Sequence, residues 1–142
     1  MHGDSLNSLI LLFWKDHIMI DWYAVSDQFL ATKISIGPLS FSFPFVYAKC
    51  LAQDREALWR DLDGIISESD PWIVGGDFNV IANPKEKKWS GAFPRTANQA
   101  IVSFMATSGL LDVGFERDNF TWCNNQCGGC RTWWCLNQCL MN

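Results

Sequence analysis

The sequence predicts an α/β layered domain, and three observations carry that prediction. Short runs of β-branched and aromatic residues fill the first third, apolar residues then recur at helical spacing, and a short apolar run follows that ends in Gly-Gly-Asp. Strand, helix and strand in that order build a layered sheet. With 142 residues, the chain suits one domain with a core of its own.

From Leu9 to Tyr47 the apolar runs break at Asp16-His17, Ser26-Asp27 and Gly37-Pro38, which predicts strands joined by turns and makes His17 a turn residue. Phe41, Phe43, Phe45 and Tyr47 fall at period two and share one face of an extended segment. Pro44 within that segment predicts an edge position or a bulge, because proline cannot donate to a ladder. Between Ala52 and Ser67 the period changes. Leu58, Trp59, Leu62, Ile65 and Ile66 give an amphipathic helix that Asp70-Pro71 stops.

Trp72-Ile73-Val74 then predicts a buried strand running into Gly75-Gly76-Asp77-Phe78-Asn79. The polar stretch from Asn83 to Arg95 predicts a surface loop. Thr96 and Gln99 are spaced as a capping box, Ile101, Phe104 and Met105 form an apolar stripe, and Gly109 supplies a stop, so a second helix is expected. Leu110-Leu111-Asp112-Val113 and Phe120-Thr121-Trp122 complete the pattern as short strands.

Composition narrows the function. The chain is 49% hydrophobic and 18% charged, which is globular rather than disordered. Eleven Lys and Arg against 15 Asp and Glu give a net charge of −4, so any nucleic-acid contact must be local. The run Leu9 to Trp14 is too short to span a bilayer and no Lys or Arg precedes it as in a signal peptide, so an intracellular chain without membrane contact is expected. Five of six Cys lie in the last twenty residues, beside Trp122, Trp133 and Trp134. Four of them, Cys127, Cys130, Cys135 and Cys139, offer a thiolate set for zinc and hence a zinc-stabilised binding module. The four residues between the two pairs are short for such a site. The three Trp are expected to be core aromatics.

Asp77 and Asn79 stand two apart after a buried strand. If the backbone stays extended, both side chains emerge on one side beyond the strand's carboxyl end, where a carboxylate can orient a water and an amide can donate to a phosphate oxygen. Gly75 and Gly76 allow a close backbone turn there. The same residues also fit a simple Asx turn. Tyr47, taken alone, reads as a core residue rather than a catalytic one. Lys85, Lys87 and Lys88 with Trp89 fit either a DNA contact or a solvated loop.

Gly75-Gly76-Asp77-Phe78-Asn79 after Trp72-Ile73-Val74 resembles the G-D-F-N motif of the endonuclease/exonuclease/phosphatase family. Phe45-Val46-Tyr47-Ala48, Leu58-Trp59-Arg60-Asp61-Leu62, Gly109-Leu110-Leu111-Asp112 and Phe120-Thr121-Trp122 are similar to other segments of that family, in the same order. The similarity is strongest to the endonuclease domain of plant LINE-type, non-LTR retrotransposons. It runs over residues 14–142 and leaves residues 1–13 as a non-matching segment.

The resemblance implies a partial two-sheet α/β sandwich of the DNase I-like type, derived from an enzyme that nicks DNA with Mg²⁺. It implies that Asp77 orients the attacking water and holds part of the metal site, that Asn79 contacts the scissile phosphate, and that Tyr47 supports the phosphate from its own strand. No other small-molecule cofactor is implied, and the family's DNA substrate places its action in the nucleus. The family's Glu that binds metal would lie upstream of Trp14 and its Ser-Asp-His segment beyond Asn142, with neither His2 nor His17 placed to substitute. In the tail, which resembles R-x-W-x-R-L-D-R-x-L-x-N, Cys135 stands for an Arg, Asn137 for the Asp that orients the catalytic His, and Gln138 for a second Arg. Each change is one transition away at the nucleotide level, which implies a decayed, pseudogene-like copy with little or no nuclease activity. Exposed strand edges would favour self-association. The alternative to an enzyme remnant, besides the zinc module, is an interaction protein that reuses the α/β core.

Overall fold

The period-two pattern of the first third folds into an antiparallel meander of β1 (Ile18–Val25), β2 (Phe29–Ile36) and β3 (Leu39–Tyr47). The computed structural model describes residues 10–67, 70–88, 98–114 and 120–142. Helix α1 (Ala52–Ile65) then carries the chain to β4 (Ile73–Asp77), which pairs parallel to β3. A 3₁₀ turn (Pro84–Glu86) leads to β5 (Lys87–Lys88), followed by helix α2 (Gln99–Ser108), β6 (Leu111–Asp112) and β7 (Trp122–Cys123). After a second 3₁₀ turn (Gly128–Cys130) come β8 (Trp133–Trp134) and β9 (Asn137–Met141).

Two sheets result. The larger has the order β1-β2-β3-β4-β9-β6 and the smaller the order β5-β8-β7. The chain is therefore α/β with a mixed sheet, as the pattern predicts. The cysteine-rich tail is not an appendage: β9 fills the place between β4 and β6, and Leu136 and Leu140 are buried.

One face of the large sheet carries the helices. Ala31, Val46, Val74 and Leu140 pack there against Leu58, Trp59 and Leu62 of α1 and Ile101 and Phe104 of α2. Burying each large side chain contributes about 1.5–3 kcal/mol. Phe78 joins this core at full burial, its ring parallel to that of Trp59 with centroids 6.0 Å apart.

The aromatic residues of β3 face the other way. Phe41, Phe43 and Phe45 share one face as expected, but Ser42, Pro44 and Val46 between them are the buried ones. The register extends that second face across the sheet in rows such as Ile20, Ile34 and Phe41, or Leu30, Phe45, Gly75 and Cys139. Residues 10–14, expected as part of a strand, instead form a strap. Ile10, Leu11, Leu12 and Phe13 line a cavity of about 430 Å³ with Ile20 and Phe45. Trp22, Ile36, Leu39, Leu111 and Met141 stay exposed, Leu39 at 66%.

Several local expectations are corrected by tertiary context. Pro44 sits in a central strand, not at an edge. Ser42 N–H donates to Pro71 O at 3.0 Å, so the missing N–H of Pro44 points the same way. It falls in the gap between the Ser42–Trp72 bridge and the ladder that resumes at Phe45–Gly75. The ladder pauses where proline could not serve it.

Thr96 lies outside the described residues; Asn98 occupies the N-cap position of α2, and its amide donates to Ala82 O at 3.1 Å, tying the helix start to the β4 loop. Gly109 ends the helix at φ 65°, as expected. The expected loop from Asn83 contains β5, while Trp89 and Arg95 lie outside the described residues. His17 occupies a turn. No helix among the described residues is long and apolar enough to cross a membrane.

Candidate active site

Strand register assembles the candidate residues. Tyr47 pairs with Asp77, and Asp77 pairs with Asn137, so the three stand in one row across β3, β4 and β9. The row ends the sheet: Ala48 N–H donates to Asp77 O at 2.8 Å and Phe78 N–H donates to Leu136 O at 2.9 Å, after which the strands part. Tyr47 is exposed rather than part of the core, Asp77 and Asn79 are half-buried, and Asn137 is exposed.

The chain does not stay extended to Asn79. Asn79 adopts φ 49°, and its N–H donates to Asp77 Oδ1 at 2.9 Å, which makes an Asx turn. The two side chains are thus linked by the turn and not by strand alternation. One amide N–H of Asn79 donates to Ala48 O, which fastens the turn to the end of β3. A primary amide has a second N–H to offer.

Glycine is required at Gly76. It adopts φ 139°, and a Cβ there would fall on the carbonyl of Val46. At Gly75 a Cβ would stand 3.0 Å from Phe43 Cζ, so the ring lies close against this glycine.

Beside the row lies a cleft of about 360 Å³ lined by Asp27, Tyr47, Lys49, Cys50, Asp54 and Asn79. Lys49 is ion-paired to Asp27, whose hydrogen bond raises the lysine pKa. Two buried polar residues brace the wall. Gln28 donates through Nε2 to Asp54 O at 2.9 Å and accepts Lys49 N–H at 2.9 Å, while its own carbonyl accepts Tyr47 N–H at 2.8 Å. Arg55, 4% exposed, donates through Nη1 to Lys49 O at 2.9 Å and to Cys50 O at 2.6 Å. Burial lowers its pKa. The segment after Tyr47 is therefore held from two sides.

Sequence reasoning passed over Gln28, Lys49 and Arg55. The one available signal was a charged residue on the apolar stripe of α1, since Arg55 lies three before Leu58.

A divalent hard cation needs several oxygen ligands. In the row Asp77 is the one carboxylate, and one of its oxygens is already engaged by Asn79. Among the described residues no group of three His, Cys, Asp or Glu is placed to hold a metal. These residues do not by themselves fit Mg²⁺. Nor do they fit zinc: Cys135 is buried, Cys139 lies within β9, Cys127 and Cys130 are exposed, and among the described residues no three of these groups are placed to share a metal. Burial and the nearby acids Glu86 and Asp112 push the Cys135 thiol up to about 11, which opposes the thiolate a metal requires.

Behind the row, Gln138 is buried on the helix side of β9. Its Nε2 donates to Glu86 Oε2 at 2.9 Å and to Val80 O at 3.3 Å, while its Oε1 is buried without a partner. Glu86 also accepts Ala82 N–H at 2.8 Å, and burial raises its pKa.

The chain has the DNase I-like fold. It is similar to the endonuclease domain of TRAS1, a telomere-specific non-LTR retrotransposon, with a TM-score of 0.65 at 14% identity over 89% of this chain and 57% of that one. Truncated Caenorhabditis elegans TDP2 is matched with a TM-score of 0.51 at 14% identity, over 89% of this chain and 54% of that one. The chain thus spans a little over half the length of the structures it matches. No protein-family model and no curated protein matches the sequence.

Proposed function

We propose that the chain derives from a Mg²⁺-dependent DNA-nicking endonuclease of a LINE-type retrotransposon and is catalytically impaired. The observation that carries this reading is the row of Tyr47, Asp77 and Asn137, with Asn79 turned back onto Asp77. In this reading the Tyr47 hydroxyl donates to a phosphate oxygen, the second N–H of Asn79 does the same, and the open oxygen of Asp77 orients a water. Of the carboxylates that such an ancestor would use to hold Mg²⁺, the row retains Asp77.

The impairment follows from Asn137. An amide cannot stabilise an imidazolium or take up a proton as a carboxylate does. The row therefore holds one acid where the resembled motif has two.

The test is nicking of supercoiled plasmid by the purified chain with Mg²⁺, beside Asp77→Ala, Asn137→Asp and an EDTA control, after circular dichroism shows folding. The expected result is no nicking above the Asp77→Ala background. EDTA-sensitive nicking that disappears in Asp77→Ala would overturn the impairment.

A second reading, an interaction protein on the same core, draws on the apolar sheet face that the helices leave uncovered. Saturable association with a folded protein that is lost on charging this face, with no phosphodiester turnover, would favour it.

A further inference from the structure

The cysteines that the zinc reading leaves over are not equivalent. Cys135 is buried, Cys139 is half-buried in β9, and the half-buried Cys123 in β7 has a thiol that accepts Asn125 N–H at 3.4 Å. Cys127 and Cys130 are exposed, and they flank Gly128-Gly129 in the 3₁₀ turn at the tip of the β7–β8 hairpin.

That turn sets their spacing. Cys127, extended at φ −94°, and Cys130 are the first and last residues of a four-residue turn that passes through Gly128 at φ 65°, and the ends of such a turn lie within about 7 Å of each other at Cα. A disulfide needs Cα atoms roughly 4.4–6.8 Å apart. The turn is held independently of any bridge: Arg131 N–H donates to Gly128 O at 3.2 Å, Asn124 Nδ2 donates to Cys130 O at 2.9 Å, and Asn124 Oδ1 accepts Thr132 N–H at 3.0 Å. Arg131 Nε donates to Gln126 O at 3.0 Å across the same tip. Gly128 adopts φ 65°, and a Cβ added at Gly128 or Gly129 would meet nothing within 4 Å. The tip stands clear for a small reactant.

We propose that Cys127 and Cys130 form a dithiol site that exchanges with low-molecular-weight disulfides and closes an intramolecular bridge across the hairpin tip. The Cys127 sulfur attacks one sulfur of the disulfide R–S–S–R, the S–S bond breaks, and one R–S⁻ leaves and takes up a proton. The Cys130 sulfur then attacks Cys127 in the mixed disulfide and expels the second R–S⁻, which is also protonated. Two thiol hydrogens of the protein end on two R–SH molecules. The protein is oxidised by two electrons and the disulfide is reduced by two.

The site is tested on the full chain equilibrated with reduced and oxidised glutathione, quenched in acid, alkylated and cleaved after Arg and Lys. Cleavage after Arg117 and Arg131 leaves Cys123, Cys127 and Cys130 in one peptide. The expected peptide is two hydrogens lighter and alkylated at Cys123 alone, exceeding its glutathione adducts by about ten-fold or more because the second exchange is intramolecular. Cys123→Ser keeps the bridge, and Cys130→Ser replaces it with a glutathione adduct at Cys127. Similar adduct levels on all three cysteines of the unaltered chain would overturn the proposal. So would a bridge that survives Cys130→Ser and disappears in Cys123→Ser.

Discussion

Replacing Gln138 with arginine should stabilise the protein, although it adds a charge to a site that is 3% exposed. Gln138 Oε1 is a buried acceptor without a partner, and such an atom costs about 1–3 kcal/mol. A guanidinium has donors only, so Gln138→Arg removes the orphan. It also keeps the donor contacts of Nε2 toward Val80 O and Glu86 Oε2, the latter 2.9 Å away at present. Desolvation of the new charge and its larger volume offset part of the gain. The net expectation is about 1–2 kcal/mol, or roughly 3–8 °C in Tm for a domain of this size.

The pH dependence separates the electrostatic part. Burial raises the Glu86 pKa above its ordinary 4.5 in the folded chain, so the native state binds more protons than the unfolded one between the two values. Stability is then greatest below the unfolded pKa and is lost as pH rises through the folded one. Arginine at position 138 lowers the folded pKa and removes that loss. Urea unfolding of the parent, Gln138→Arg, Glu86→Gln and the double variant between pH 4 and 8 measures this. Gln138→Arg proving less stable than the parent at pH 7, or no coupling to Glu86 in the cycle, would refute the reasoning.

Gly76→Ala should cost roughly 3 kcal/mol or more, because the new Cβ meets the Val46 carbonyl at a φ that only glycine adopts freely, and the urea midpoint reads the loss. Arg55→Leu should destabilise by about 2–4 kcal/mol by stranding the carbonyls of Lys49 and Cys50, and backbone hydrogen exchange after Tyr47 should rise with it; unchanged exchange there would show that the clamp is not needed. Leu39→Lys with Trp22→Lys should reduce self-association through the uncovered sheet face, read as a shift toward monomer in sedimentation velocity. A parent chain that is already monomeric, or an unchanged oligomer distribution in the variant, would refute the expectation.

Much of this molecule is written in local pattern. Leu58, Trp59 and Leu62 place α1 and its buried side from spacing alone, and Gly109 ends α2 where the sequence says it should. Ile73 to Asp77 announces a strand that breaks into a turn, because each signal depends on neighbours a few residues away. The resemblance of Gly75 to Asn79 rests on the same local run of residues.

Partnership between distant segments was decided only by the tertiary structure. Nothing near Asn137 shows that it will stand beside Asp77, sixty residues earlier, since strand order depends on which edge of β4 is free when β9 arrives. Pro44 reads as an edge residue until Pro71 shows which way its missing N–H points. The aromatic residues of β3 share a face in any extended chain, yet the helices cover the opposite one, because α1 and α2 follow the Val46 and Val74 side of the sheet. Period two determines which residues go together. Packing determines which face is buried, because that choice depends on the hydrophobic gain summed over all the elements that meet there.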